Sequence, residues 1–330
     1  MNNIGYPFAR FKFNKSEIKD SEFKIVCNLE KGPFVTIDSV YNPEMSKKEL
    51  ELIYKIIKIK NKDPFNLSLI SSINEKLKST NFLSVKKPTA YEFINNKAHI
   101  YCYAKNKPVN YMNGLLGLQP GSNGEIQLTG NLSITLLNAL KHGEMLSINW
   151  RKMFNKSQNL ISNFSIPYIF KSDFELSGNL NMIKKDSSFF NINLESRINY
   201  LISNNYSVGV IYNKIGSTNL LASNYNSTAL TNFGFSLLRN KLNNLYNPTK
   251  GFRLSSSISS GLKKTYFTEN NYEIEEKTTN YFAEICYEQY LRINNRSTVK
   301  IKFNGLTTIN DNLFENELSR IGGYQNLRGF

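Results

Sequence analysis

Apolar and polar residues alternate with a period of two along most of this chain. Ile126, Leu128, Leu132, Ile134 and Leu136 take turns with Gln127, Thr129, Asn131, Ser133 and Thr135. Phe190, Ile192, Leu194, Ile198 and Tyr200 alternate with Asn191, Asn193, Glu195, Arg197 and Asn199, and Val299, Ile301 and Phe303 with Thr298, Lys300, Lys302 and Asn304. Period two places one greasy and one polar face on each strand. About eleven such segments lie between Val109 and Ile309, most of them about ten to fourteen residues long. Turn signals such as "QPGSNG", "KHGE" and "NPTKG" separate them. Strands of a soluble sandwich average about five or six residues, whereas a tilted strand crossing a bilayer takes about 9–11. The pattern predicts an up-and-down transmembrane barrel with a wet lumen.

The first hundred residues read differently. "RFKFNKSEI" and "SEFKIVCNLEKG" predict two strands, and "PFVTIDSV" a third. Ser46 with Glu49 three residues on forms a capping box, and Leu50, Ile53, Tyr54 and Ile57 fall on one helical face. A second helix carries Ile70, Ile73 and Leu77 on one side, and "FLSVKKPTAYEFI" and "KAHIYCYAKNK" predict two closing strands. The order from Phe34 is β-α-α-β-β, a complete small domain.

Composition narrows the function classes. The 330 residues include 19 Tyr and 22 Phe against one Trp, and no run is long and apolar enough for a transmembrane helix. The net charge of +15 is spread along the chain, without the clustered motif of a nucleic-acid binder. The three cysteines, Cys27, Cys102 and Cys286, are widely spaced and give neither a disulfide framework nor a zinc pattern. His99 and His142 fall in separate modules, and the paired acids Glu275–Glu276 lie in a charged stretch, Glu269 to Lys277, expected to be a solvated loop. Neither a nucleophile motif nor a phosphate loop is present. The expectation is a non-enzyme without cofactor or metal.

The chain closes on "IGGYQNLRGF", with three glycines, an arginine and two aromatics in its last nine residues. This stretch resembles the signature of the outer-membrane protein assembly factors, the bacterial surface antigen superfamily that includes the insertase of the barrel assembly machinery. The matching residues are Ile321, Gly322, Gly323, Arg328, Gly329 and Phe330. "GYPFA" (Gly5 to Ala9) with "GPFVTI" resembles the junction between two polypeptide-transport-associated (POTRA) domains. "LTGNLSITLLNALKHGE" resembles the family's opening barrel hairpin, and "YNPTKGF" a motif that starts a later strand.

The resemblance implies a β-rich membrane protein. Residues 1–32 would end one POTRA domain, 33–108 would form the next, and 109–330 would be about 11 of about 16 antiparallel barrel strands. The chain would then be a fragment of the family's full length. Its implied role is capture and insertion of unfolded outer-membrane proteins in the outer membrane of a Gram-negative bacterium. The POTRA domain would lie in the periplasm, with outer-membrane lipids and accessory lipoproteins as further partners and no nucleic acid. Capture would be strand addition at an edge near Val35 and Ile37 or near Phe82 and Val85; either could be the open one. Gly114, Gly117 and Gly121 would either weaken a barrel seam or mark ordinary bends at the rim. Arg328 would reach into the lumen. A protein exporter of the same superfamily is the alternative, and a porin or adhesin the next.

Overall fold

The computed structural model describes residues 1–19, 22–80, 82–120, 125–153, 157–170, 172–185, 188–203, 205–220, 227–243, 247–269, 272–311 and 313. The chain falls into two compact units, Met1–Val109 with Leu140–Gly143, and Asn110–Ala139 with Glu144–Phe330.

In the first unit, β1 (Arg10–Lys19) and β2 (Glu22–Glu30) pair as a separate antiparallel ribbon. The rest runs β3 (Thr36–Tyr41), α1 (Lys47–Ile57), α2 (Leu67–Lys78), β4 (Leu83–Ile94) and β5 (Lys97–Asn106). The three strands form a sheet in the order β3-β5-β4, with β3 parallel and β4 antiparallel to β5. A parallel pair needs a crossover, which the two helices supply. Alternation in β5 buries Ala98, Ile100, Cys102 and Ala104 and leaves His99, Tyr101 and Tyr103 on the other face. Val35, Ile37, Ile53, Ile57, Phe65, Ile73 and Leu77 complete the core.

The apolar face of α1 is rotated from the expected one. Leu52, Ile53, Ile56 and Ile57 are buried, whereas Leu50 and Tyr54 are half-buried. Tyr54 lies at the margin because its hydroxyl accepts a 2.7 Å hydrogen bond from Val40 N–H. At the helix start, Glu49 accepts from Ser46 N–H at 2.8 Å and Ser46 Oγ at 2.6 Å.

The second unit is one antiparallel sheet of eleven strands, each paired with the next in sequence. They are β6 (Tyr111–Pro120), β7 (Ile126–Leu137), β8 (Met145–Lys152), β9 (Gln158–Ile169), β10 (Phe174–Lys185) and β11 (Phe189–Ser203). The series continues with β12 (Tyr206–Asn219), β13 (Ser227–Asn240), β14 (Gly251–Glu269), β15 (Tyr272–Arg292) and β16 (Thr298–Ile309).

One expectation is overturned. Most of the charged stretch read as a loop is strand: Glu273–Lys277 belongs to β15 and pairs with Lys264–Thr268 of β14. Opposite charges meet across this hairpin, with Lys264 Nζ 2.9 Å from Glu275 Oε1, and such cross-strand pairs favour pairing over a splayed loop.

Residues directly paired across strands share a face, and register therefore sorts the sheet. Thr135, Ser147, Asn163, Asn179, Glu195, Asn213, Asn232, Gly261 and Asn280 form one continuous row from β7 to β15. The opposite face carries rows such as Leu176, Ile198, Val210, Phe235 and Ile258. Burial is inverted relative to a water-soluble sheet. Asn232 and Asn280 are each 2% exposed, while Phe235 is 67% and Ile258 61% exposed. An apolar face left uncovered on this scale belongs against lipid.

Candidate functional site: strand edges

Unpaired strand edges offer a row of backbone donors and acceptors to another chain. The first unit has two, β3 and β4, because β5 lies between them.

The β3 edge is closed by its own chain. Gly5 O accepts from Val35 N–H at 2.8 Å, and Val35 O accepts from Phe65 N–H at 2.9 Å. Ile37 N–H donates to Asp63 O, and Ile37 O accepts from Lys62 N–H, both at 2.8 Å. Val40 N–H is taken by the Tyr54 hydroxyl. Gly5 makes this possible. Its φ of +91° suits glycine, and a Cβ there would overlap the Phe34 ring. Val35 and Ile37, candidates on sequence grounds, are therefore core residues on a capped strand, 0% and 1% exposed.

The β4 edge differs. Phe82 and Leu83 are buried, and Val85 is half-buried at the first of two register shifts, between Val85 and Lys87 and between Lys87 and Ala90. Thr89 N–H donates to Asn74 Oδ1 at 3.2 Å. Beyond it, Ala90–Ile94 has β5 as its strand partner among the described residues, with Tyr91 40% and Ile94 48% exposed. The open stretch is displaced by several residues from the sequence candidates Phe82 and Val85. The signal for that displacement was Pro88, which cannot donate to a ladder and commonly marks a bulge.

In the second unit, β6 and β16 are the edge strands among the described residues. Gly114 and Gly117 lie inside β6, which pairs with β7 without a register shift from Tyr111 to Pro120. They are not bends. A Cβ at Gly114 would meet Leu132 at an ordinary 3.4 Å, so space does not require the glycine. What glycine does there is weaken the strand it sits in. Leu115, Leu116 and Leu118 beside them are about 70% exposed, at 69%, 69% and 72%. Gly121 and the terminal motif Ile321, Gly322, Gly323, Arg328, Gly329 and Phe330 lie outside the described residues.

The polar face is a hydrogen-bonding surface. Asn179 Nδ2 donates to Asn163 Oδ1 at 2.6 Å, Arg197 Nε lies 2.7 Å from Glu195 Oε1, and Asn199 Nδ2 donates to Glu175 Oε1 at 3.0 Å. At "YNPTKGF", Asn243 Oδ1 accepts from Thr249 and Lys250 N–H, both at 3.0 Å, and Gly251 opens β14 at φ +106°. Tyr246 of that motif lies outside the described residues.

At His99, Ser39 Oγ is 3.0 Å and Asp38 Oδ2 3.7 Å from the same ring nitrogen, Nδ1. Among the described residues no cluster of three or more His, Cys, Asp or Glu side chains could hold a metal.

Residues 138–330 match the Omp85 superfamily domain. None of the curated proteins matches the chain. Among solved structures, the fold is similar to BamA from Haemophilus ducreyi lacking POTRA domains 1–3, at 19% identity and TM-score 0.51, covering 99% of this chain and 66% of that one. It is also similar to CdiB from Acinetobacter baumannii, at 13% identity and TM-score 0.51, covering 99% of this chain and 61% of the other. The chain thus spans less than two thirds of either structure's length.

Proposed function

The chain belongs to the Omp85 superfamily, and we propose that it captures unfolded outer-membrane proteins by strand addition and passes them to the edge of its barrel sheet. The β3–β5 sheet with its two helices is read as a POTRA domain in the periplasm. The observation that carries this reading is the asymmetry of that sheet. One edge is stitched shut by residues 62–65, Gly5 and Tyr54, while the other is open along Ala90–Ile94.

Main-chain pairing supplies affinity with little demand on sequence, which suits a factor that must accept many unfolded chains. The exposed β6 edge, carrying Gly114 and Gly117, would be the template for the next step. Unpaired backbone is too costly to leave in lipid, so a substrate strand gains by pairing there.

Photo-crosslinking tests the reading. A benzophenone side chain at Tyr91 is expected to trap an unfolded barrel protein, and the same group at Lys60, beside the closed β3 edge, to trap little. Equal trapping at both positions would refute edge-specific capture. Preference at Tyr91 for a secreted passenger over a barrel protein would move the reading to the exporter alternative.

A further inference from the structure

The apolar face of the long sheet has a seat in it. Across β10–β14, bulky side chains including Phe174, Tyr200, Phe235 and Ile258 stand around the smaller Val208 and Ser256, leaving a groove of about 600 Å³. Leu237 of β13 pairs with Val208 and Ser256 along one side of this groove.

One step further along the same face of β13 comes Arg239, paired with Tyr206 and Leu254. Arg239 is exposed, and its guanidinium carbon lies 5.7 Å from the centre of the Phe252 ring. A guanidinium held against an aromatic ring keeps its charge and its fork of N–H donors, which match an oxyanion. Among the described residues Arg239 forms no ion pair with a carboxylate.

Both features lie near the end of the sheet at which β6 begins, since strand direction alternates and β13 ends at Asn240. β6 follows the first unit directly in sequence. With that unit in the periplasm, this end is the periplasmic rim.

We propose that the groove and Arg239 together form a seat for one anionic phospholipid of the periplasmic leaflet, with an acyl chain in the groove and the phosphodiester on the guanidinium. The proposal rests on the outer-membrane reading above. Two residues of strand separate Arg239 from Leu237 by about 7 Å, an offset that sets a headgroup outside the first methylenes of its chain. Arginine matches phosphate through paired N–H donors. Neither this groove nor a second apolar one of about 370 Å³, between Phe233, Tyr281 and Ile309, is lined by a basic residue, and it is Arg239, one step beyond the first, that confines the proposal to it.

The test uses the full chain in phosphatidylcholine vesicles containing a minor fraction of phosphatidylglycerol brominated on its acyl chains. Tryptophan fluorescence is read at two positions. Native Trp150, on the apolar face between Leu132 and Leu160, reports bulk lipid, and Phe235→Trp in a Trp150→Phe background reports the groove. One phosphate-facing arginine corresponds to about fivefold local enrichment. Quenching at position 235 is expected to show that enrichment over Trp150, and to lose it in Arg239→Gln and in Ser256→Phe, which fills the groove. Equal quenching at both positions, or enrichment that survives Arg239→Gln, would overturn the seat. If brominated phosphatidylcholine alone leaves Trp150 unquenched, the outer-membrane reading fails instead.

Discussion

Replacing Glu49 by glutamine tests the packing of the first unit at a single charged group. Glu49 is 6% exposed, and its carboxylate accepts from Ser46 N–H, Ser46 Oγ and Asn106 Nδ2 at 2.8, 2.6 and 2.6 Å. Lys141 Nζ stands 3.2 Å away. Burial alone would push its pKa up, but the hydrogen bonds from Ser46, Asn106 and Lys141 outweigh it and bring the value down to about 2, from 4.5. A folded-state pKa below the unfolded one stabilises above the unfolded pKa, and the contribution is lost as pH falls through the folded value. The drop corresponds to about 3 kcal/mol at neutral pH, about 1 kcal/mol at pH 3 and little at pH 2. Glutamine keeps part of the hydrogen bonding, so the expected loss at pH 7 is about 2–3 kcal/mol. With a urea slope of about 1 kcal/mol/M for a unit this small, the midpoint should fall by about 2 M.

Cys102 supplies the readout, being 0% exposed in the core of the same unit. In a Cys27→Ser/Cys286→Ser background its reaction with a disulfide reagent active in acid follows unfolding of this unit in urea. Glu49→Gln should cost clearly more at pH 7 than at pH 3. An equal cost at both, or a cost below about 0.5 kcal/mol at pH 7, would refute the assignment of a strongly hydrogen-bonded carboxylate.

Three further outcomes follow from the same geometry. Tyr54→Phe strands the Val40 N–H and is expected to cost about 1–2 kcal/mol by the same Cys102 assay; it should also raise crosslinking from Lys60 by loosening the β3 edge, and unchanged values on both counts would refute the cap. Burial pushes the Cys102 thiol up to about 11, so at pH 8 an alkylating reagent should modify exposed Cys27 and spare Cys102 until urea opens the unit, whereas native-state labelling of Cys102 would contradict the core. Gly251→Ala places a Cβ against the Lys241 carbonyl oxygen at a φ of +106° and is expected to cost about 2–4 kcal/mol, read as a lower urea midpoint of Trp150 fluorescence; an unchanged midpoint would show that the β13–β14 turn relaxes freely.

Much of this protein was legible without coordinates. Period-two alternation foretold eleven strands after Val109, because a sheet with one lipid face and one wet face writes its geometry into every second residue. Ser46 and Glu49 announced the start of α1 through chemistry confined to one helical turn. The face of α1 was misjudged by a fraction of a turn, since Tyr54 is drawn to the margin by Val40, fourteen residues away. The charged stretch near Glu275 read as a loop because its pairing with Lys264 is invisible until the hairpin register is known.

By itself, then, the sequence determined what is local or periodic: element order, the cap of the first helix and the two faces of the sheet. Only the tertiary structure decided which edge is open, because that depends on β5 lying between β3 and β4 and on Gly5, Tyr54 and residues 62–65 reaching back to β3. It likewise decided that an arginine stands one step beyond an apolar groove. The order β3-β5-β4 and the closure of the β3 edge are set by contacts between residues far apart in sequence, which period-two alternation does not encode.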